Sequence, residues 1–93
     1  MTIEELKIKI LASVTGYPIK GIILFGSRAS GTNREDSDVD LLIEFTEPVT
    51  LLTLAELQEV LEDALQLDVD VVHGPLHSTD LFEINKGIVL YAE

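Results

Sequence analysis

The stretch from Gly26 to Phe45 constrains the fold of this chain more than any other. It joins a glycine-bounded turn, Gly26–Gly31, to an apolar strand that opens with two aspartates, Asp38 and Asp40. Side chains two residues apart in a strand point to the same face. The strand therefore has a core face of apolar residues (Val39, Leu41, Ile43 and Phe45) and an opposite face that starts with two adjacent carboxylates. Like charges that close require a cation or a proton between them, and oxygen ligands favour a hard divalent cation.

Length and composition predict one globular domain spanning residues 1–93. The chain has 93 residues, of which 46% are hydrophobic, so it can bury one core but not two. It contains no cysteine, which excludes disulfides and zinc–thiolate sites and favours a reducing compartment. No apolar run approaches the ~20 residues needed to cross a bilayer. We therefore expect a cytoplasmic protein without a membrane-spanning segment.

The charge balance limits the classes of partner. Six Lys and Arg residues stand against 17 Asp and Glu residues, which gives a formal net charge of −11. The small number of basic residues and the lack of a basic run argue against a broad nucleic-acid-binding surface. The acidity favours a basic protein partner, or a substrate that reaches the protein together with metal ions.

Hydrophobic periodicity and breaker residues predict an alternation of helices and strands. A helix over residues 3–14 follows a capping box at Thr2, and a second helix is capped at Thr50 or at Thr53. The remaining predicted elements are strands at 21–25, 38–45, 67–73 and 88–91, one helical turn after Ser27, and a short helix near 81–84 capped at Ser78 or Thr79. This order predicts an α/β (α+β) fold in which helices cover one face of a mixed sheet.

The glycine-bounded turn is a candidate phosphate site. A glycine directly after a buried strand lets backbone N–H groups approach a phosphate closely. Ser27 can add a hydroxyl and Arg28 a positive charge. Alternatively, Gly26 and Ser27 form an ordinary turn at the end of a strand. The turn is not a P-loop, because no lysine follows its second glycine.

A further carboxylate comes from the third predicted strand, which offers Asp68 and Asp70. Three carboxylates on neighbouring strands can hold two Mg²⁺ ions for an in-line phosphoryl displacement. Asp68 is interpreted as a solvated residue at the start of the strand. Asp70 lies between valines and is the preferred candidate for the third carboxylate. The alternative is that the aspartates are solvated strand-end groups. An EF-hand is rejected, since Leu41 stands where such a loop needs glycine, and His73 and His77 are interpreted as surface loop residues.

Taken together, Gly26-Ser27-x-x-x-Gly31, Asp38-x-Asp40 and the separate Asp70 resemble the signature of the nucleotidyltransferase superfamily. The short chain is similar to the minimal nucleotidyltransferases, the antitoxin half of HEPN/MNT toxin–antitoxin pairs. The resemblance implies a polymerase-β-like core in which Gly26 and Ser27 hold the triphosphate. It also implies that Asp38 and Asp40 bind both metal ions, and that Asp70 binds the catalytic metal and orients or deprotonates the acceptor hydroxyl.

The resemblance further implies an activity and a partner. Such proteins are understood to transfer AMP from ATP, with two Mg²⁺ ions, to a tyrosine hydroxyl of a cognate HEPN ribonuclease toxin. We therefore expect a hetero-oligomer with the toxin, and neither a direct nucleic-acid partner nor a membrane partner. Two alternatives stay open: a non-catalytic antitoxin that neutralises a basic toxin by binding, and nucleotidyl transfer to the hydroxyl of a small molecule.

Overall fold

The computed structural model describes residues 1–34, 36–73 and 87–92. In chain order its elements are α1 (Ile3–Ser13), β1 (Ile19–Phe25), α2 (Ser27–Ser30), β2 (Val39–Phe45), α3 (Leu51–Leu65), β3 (Val69–His73) and β4 (Ile88–Ala92). The strands form one sheet in the order β3-β2-β1-β4. β1 runs antiparallel to β2 and β4, whereas β2 and β3 are parallel. The predicted mixed sheet is thus confirmed.

The two long helices begin at capping residues that the sequence signals. At the start of α1, the Thr2 hydroxyl accepts from the Glu5 amide at 3.1 Å and the Glu5 carboxylate accepts from the Thr2 amide at 3.0 Å. This capping box lowers the pKa of Glu5 through its hydrogen bonds to the backbone and side chain of Thr2. α3 is capped at Thr50, whose hydroxyl accepts from the Thr53 amide at 3.1 Å. The alternative cap at Thr53 is therefore wrong.

One face of the sheet carries the core. Val39, Leu41 and Ile43 of β2 are fully buried, and they belong to one cluster with side chains from α1 and α3 (Leu6, Ile10, Leu57, Leu61 and Leu65). Burying a side chain of this size stabilises the fold by about 1.5–3 kcal/mol. The alternation of β2 thus fixes which of its residues face the helices, and it leaves Asp40 on the opposite face.

The structure moves several predicted boundaries. β1 starts at Ile19, because Ile19 pairs with Phe45 across a bulge. β2 and β3 start at Val39 and Val69, so Asp38 and Asp68 both lie just before their strands. The helix predicted near 81–84 lies outside the described residues. In the part of the chain that the structure describes, no helix has the length and hydropathy to cross a membrane.

Candidate active site

The site begins where β1 ends and the chain turns into α2. Gly26 has φ 77° and ψ −156°, a backbone conformation that is essentially restricted to glycine. Its carbonyl accepts from the amides of Ala29 and Ser30, each at 3.2 Å, which holds α2 as a single turn. Gly31 ends that turn with φ 80°. Both glycines of the motif therefore occupy positions at which the backbone geometry favours glycine.

Gly26 also makes room for a carboxylate. Phe25 is the register partner of Asp40, so Gly26 passes beside the start of β2. A Cβ atom built on Gly26 would collide with the Asp40 carboxylate oxygen and lie 3.2 Å from its carboxyl carbon. From the sequence, one explanation of this glycine is the close approach of a phosphate. In the structure, the group that approaches it is the side chain of Asp40.

The parallel pairing of β2 and β3 brings two candidate carboxylates together. Asp40 is the register partner of Asp70. Partners on neighbouring strands lie about 4.8 Å apart and share a face. Asp38 is exposed and lies two residues before Asp40. Asp68 precedes β3, and its carbonyl accepts from the Val39 amide at 2.9 Å. The backbone therefore places Asp70, and not Asp68, beside Asp40.

Asp70 differs from expectation in its surroundings. The predicted strand over residues 67–73 places it in mid-strand, where a carboxylate among valines needs a compensating partner. It is the second residue of β3 and is exposed, because it points to the sheet face opposite the helices. Water can solvate its charge there, so the presence of Asp70 does not by itself require a cation.

A divalent cation suits the oxygen ligands and the backbone positions of Asp38, Asp40 and Asp70, which lie at the starts of β2 and β3. Carboxylate oxygens are the ligands that Mg²⁺ prefers. In residues 1–34, 36–73 and 87–92, however, no three acidic or histidine side chains are arranged as a metal site. The Asp40 carboxylate lies against Gly26. A shared cation would therefore require the carboxylates of Asp38, Asp40 and Asp70 to turn toward one point.

The side chain of Arg28 is not placed as the sequence predicts. The sequence predicts that Arg28 presents its charge to a phosphate. Instead its side chain is only 3% exposed, and both Nε and Nη2 donate to the Ser37 carbonyl, at 3.1 and 2.8 Å. Arg28 thus ties α2 to the residue that directly precedes Asp38.

Sequence reasoning missed the contribution of Glu62. The Glu62 carboxylate accepts from the Val69 amide at 3.0 Å and so holds the start of β3. The helical pattern gives no signal for this contact, because it depends on where the short 66–68 connection returns the chain. His73 ends β3 with its ring centroid 5.4 Å from that of Phe45. His77 lies outside the described residues.

Comparison with known proteins agrees with this architecture. The sequence matches the nucleotidyltransferase domain family over residues 6–89. It is 46% identical over 56 residues to the protein adenylyltransferase MntA of Thermococcus cleftensis, an alignment that covers 60% of this chain and 57% of that protein. The chain spans less than two thirds of the length of most curated relatives that it matches.

Solved structures show the same fold. A crystal structure of a toxin–antitoxin with AMP-PNP superposes with a TM-score of 0.79 at 28% identity, covering 94% of this chain and 73% of the other. A structure of a tri-AMPylated Shewanella oneidensis HEPN toxin in complex with an MNT antitoxin superposes with a TM-score of 0.73, covering 97% of this chain and 72% of the other. At 24% identity, the second likeness supports the fold alone. These matches confirm the polymerase-β-like nucleotidyltransferase core.

Proposed function

This chain belongs to the nucleotidyltransferase domain family, and on that premise we propose that it is an antitoxin-type protein adenylyltransferase. It transfers AMP from ATP to a tyrosine hydroxyl of a HEPN ribonuclease toxin, with Mg²⁺ as the cofactor. The observation that carries this proposal is the pairing of Asp40 with Asp70 beside the Gly26–Ser27 turn. Carboxylates next to a glycine turn form the set of groups that a phosphoryl transfer needs.

The glycine turn and the carboxylates have different roles in this reaction. Backbone amides of the turn and the Ser27 hydroxyl bind the triphosphate of ATP. Asp38, Asp40 and Asp70 would hold two Mg²⁺ ions, which when bound neutralise charge on the phosphates. The carboxylate of Asp70 orients the acceptor hydroxyl and accepts its proton. The hydroxyl oxygen then bonds to the α-phosphorus, and the bond to pyrophosphate breaks.

Charge supports a protein acceptor. At a net charge of −11, the chain attracts a cationic partner and repels a nucleic acid. The MntA relative is named a protein adenylyltransferase, and a solved homologue is a toxin–antitoxin with AMP-PNP. These likenesses favour ATP as the substrate and a toxin in a hetero-oligomer as the partner. They disfavour transfer to a small molecule.

The test uses the protein together with its cognate HEPN-type toxin. After incubation with ATP and Mg²⁺, the partner should gain the mass of one or more AMP units, located on tyrosine by fragmentation. Asp40→Asn, which keeps the size of the side chain, is the control and should give no gain. If the toxin is neutralised while its mass stays unchanged, binding alone explains the antitoxin effect and the enzymatic proposal is wrong.

A further inference from the structure

Arg28 is the one buried charged side chain in the part of the chain that the structure describes. It lies on α2, directly after Ser27, and its guanidinium reaches across to the Ser37 carbonyl. A charge is buried at a cost unless hydrogen-bonded partners compensate it. A buried arginine in this position therefore indicates a specific role for its contacts.

We propose that Arg28 is a positioning residue that fixes Asp38 relative to the phosphate-binding turn, and that it does not contact the nucleotide. This inference rests on the proposed function, because it explains how one ligand of the proposed metal site is kept in position. It replaces the sequence-based expectation that Arg28 supplies a positive charge to the triphosphate.

The geometry of the guanidinium carries the argument. Nε and Nη2 both donate to one carbonyl oxygen, at 3.1 and 2.8 Å. The guanidinium is planar and its donors keep a fixed relative geometry, so two bonds to one acceptor define both the distance and the direction of that acceptor. The Ser37 carbonyl belongs to the peptide group that leads into Asp38. Fixing this peptide group fixes the direction in which Asp38 leaves the loop.

Ser37 also makes two hydrogen bonds with the backbone of Arg34. Its hydroxyl accepts from the Arg34 amide at 2.7 Å, and its own amide donates to the Arg34 carbonyl at 3.2 Å. The loop outside this turn is polar and mostly exposed where it is described. Arg28 is therefore the described link between α2 and the residues that lead into the Asp38–Asp40 pair. Without it, we expect Asp38 to adopt many orientations, and a cation that needs it binds more weakly.

The experiment measures Mn²⁺ binding to the isolated protein in the absence of nucleotide and toxin. Binding is followed by calorimetry and by the electron paramagnetic resonance signal of the Mn²⁺ that remains free. Arg28→Lys keeps the charge but loses the planar fork, and we expect its Mn²⁺ affinity to fall by about tenfold or more. Arg34→Lys is the matched control: it changes an exposed arginine of the same loop and should bind Mn²⁺ as the wild type does.

A second measurement separates positioning from phosphate contact. With Mg²⁺ raised to saturation, the dissociation constant of Arg28→Lys for ATP, measured without toxin, should return to within about threefold of wild type, because metal excess compensates for a loosely held Asp38. If Arg28→Lys does not fold, as judged by its thermal transition, Arg28→Gln is measured in the same way. Its Mn²⁺ affinity should also fall, and added ethylguanidinium should restore part of it.

Two results would overturn the inference. One is wild-type Mn²⁺ affinity in a folded Arg28 variant, and the other is an ATP dissociation constant that stays raised at saturating metal. Both leave the proposed transferase activity intact, because neither assay involves the toxin. If the wild-type protein itself binds no Mn²⁺, the metal assignment of the proposed function is wrong and this inference is wrong with it.

Discussion

Asp40 and Asp70 are register partners on the neighbouring parallel strands β2 and β3, and both belong to the sheet face opposite the helices. Of the two aspartates that the third strand offers, the pairing places Asp70 beside Asp40. Asp68 lies before β3, where its backbone carbonyl bonds to the Val39 amide. A carboxylate beside Asp40 can share a cation with it, whereas Asp68 lies directly before the paired residues of β3.

The first prediction compares these two aspartates. Asp70→Asn keeps the size of the side chain but removes its charge and its capacity to accept a proton, so transfer of AMP should slow by about 10²-fold or more. Asp68→Asn is the matched control and should transfer at the wild-type rate. Both rates are measured as AMP incorporated into the partner protein. The reverse order of activities would mean that the register of β3 is wrong.

The second prediction concerns the two glycines that bound the turn. Gly26→Ala places a Cβ against the Asp40 carboxylate and strains a backbone that glycine alone adopts. We expect a loss of about 1–3 kcal/mol in the free energy of unfolding and loss of transfer. Gly31 also has a positive φ, but a Cβ there meets nothing within 4 Å.

Gly31→Ala therefore serves as the control: it should lose about 1 kcal/mol from backbone strain and keep its activity. Urea unfolding and the transfer assay are run on the same preparations. Equal activity of the two variants would show that the space beside Gly26 is not needed for the position of Asp40.

The third prediction concerns the anchor at the start of β3. Glu62→Ala removes the carboxylate that accepts from the Val69 amide, which leaves a partly buried donor unpaired at a cost of about 1–3 kcal/mol. Transfer should also slow, since Asp70 follows Val69 directly. Glu59→Ala, an exposed change on the same helix, should stay within about 0.5 kcal/mol. Urea denaturation checks both values, and equal stabilities would mean that water replaces the anchor.

The fourth prediction is a pH dependence. The Tyr17 hydroxyl donates to the Glu56 carboxylate at 2.8 Å, linking the turn after α1 to α3. This hydrogen bond, with a smaller contribution from burial, raises the pKa of Tyr17. A raised folded-state pKa gives stability that is fully present below the unfolded value of about 10 and is lost as the pH rises through the folded-state value.

Tyr17→Phe should therefore be less stable than wild type by about 0.5–1.5 kcal/mol near neutral pH, and the difference should shrink at pH above about 10. Melting temperatures of both proteins across the alkaline range measure it. Tyr91→Phe, on β4, is the control for removing a phenol elsewhere. A difference that stays constant into alkali would show that the Glu56 contact is not its source.

By itself the sequence predicted the helices and strands that the structure describes, and it supplied the residues proposed for the candidate site. The Thr2 capping box, the alternation of Val39, Leu41 and Ile43, and the glycines around α2 are local signals. Each depends on neighbours within a few residues, so the sequence states them directly. The sequence also supplied the motif by which the chain resembles its family.

Only the tertiary structure decided which residues meet. Period-two alternation assigns Asp40 to a face, but it does not say that Asp70 lies opposite, because register depends on how two distant strands slide past each other. The contacts of Arg28 with Ser37, of Glu62 with Val69 and of Asp40 with Gly26 likewise join segments through loop closure and packing. Those contacts arise from the three-dimensional path of the chain, which no local pattern specifies.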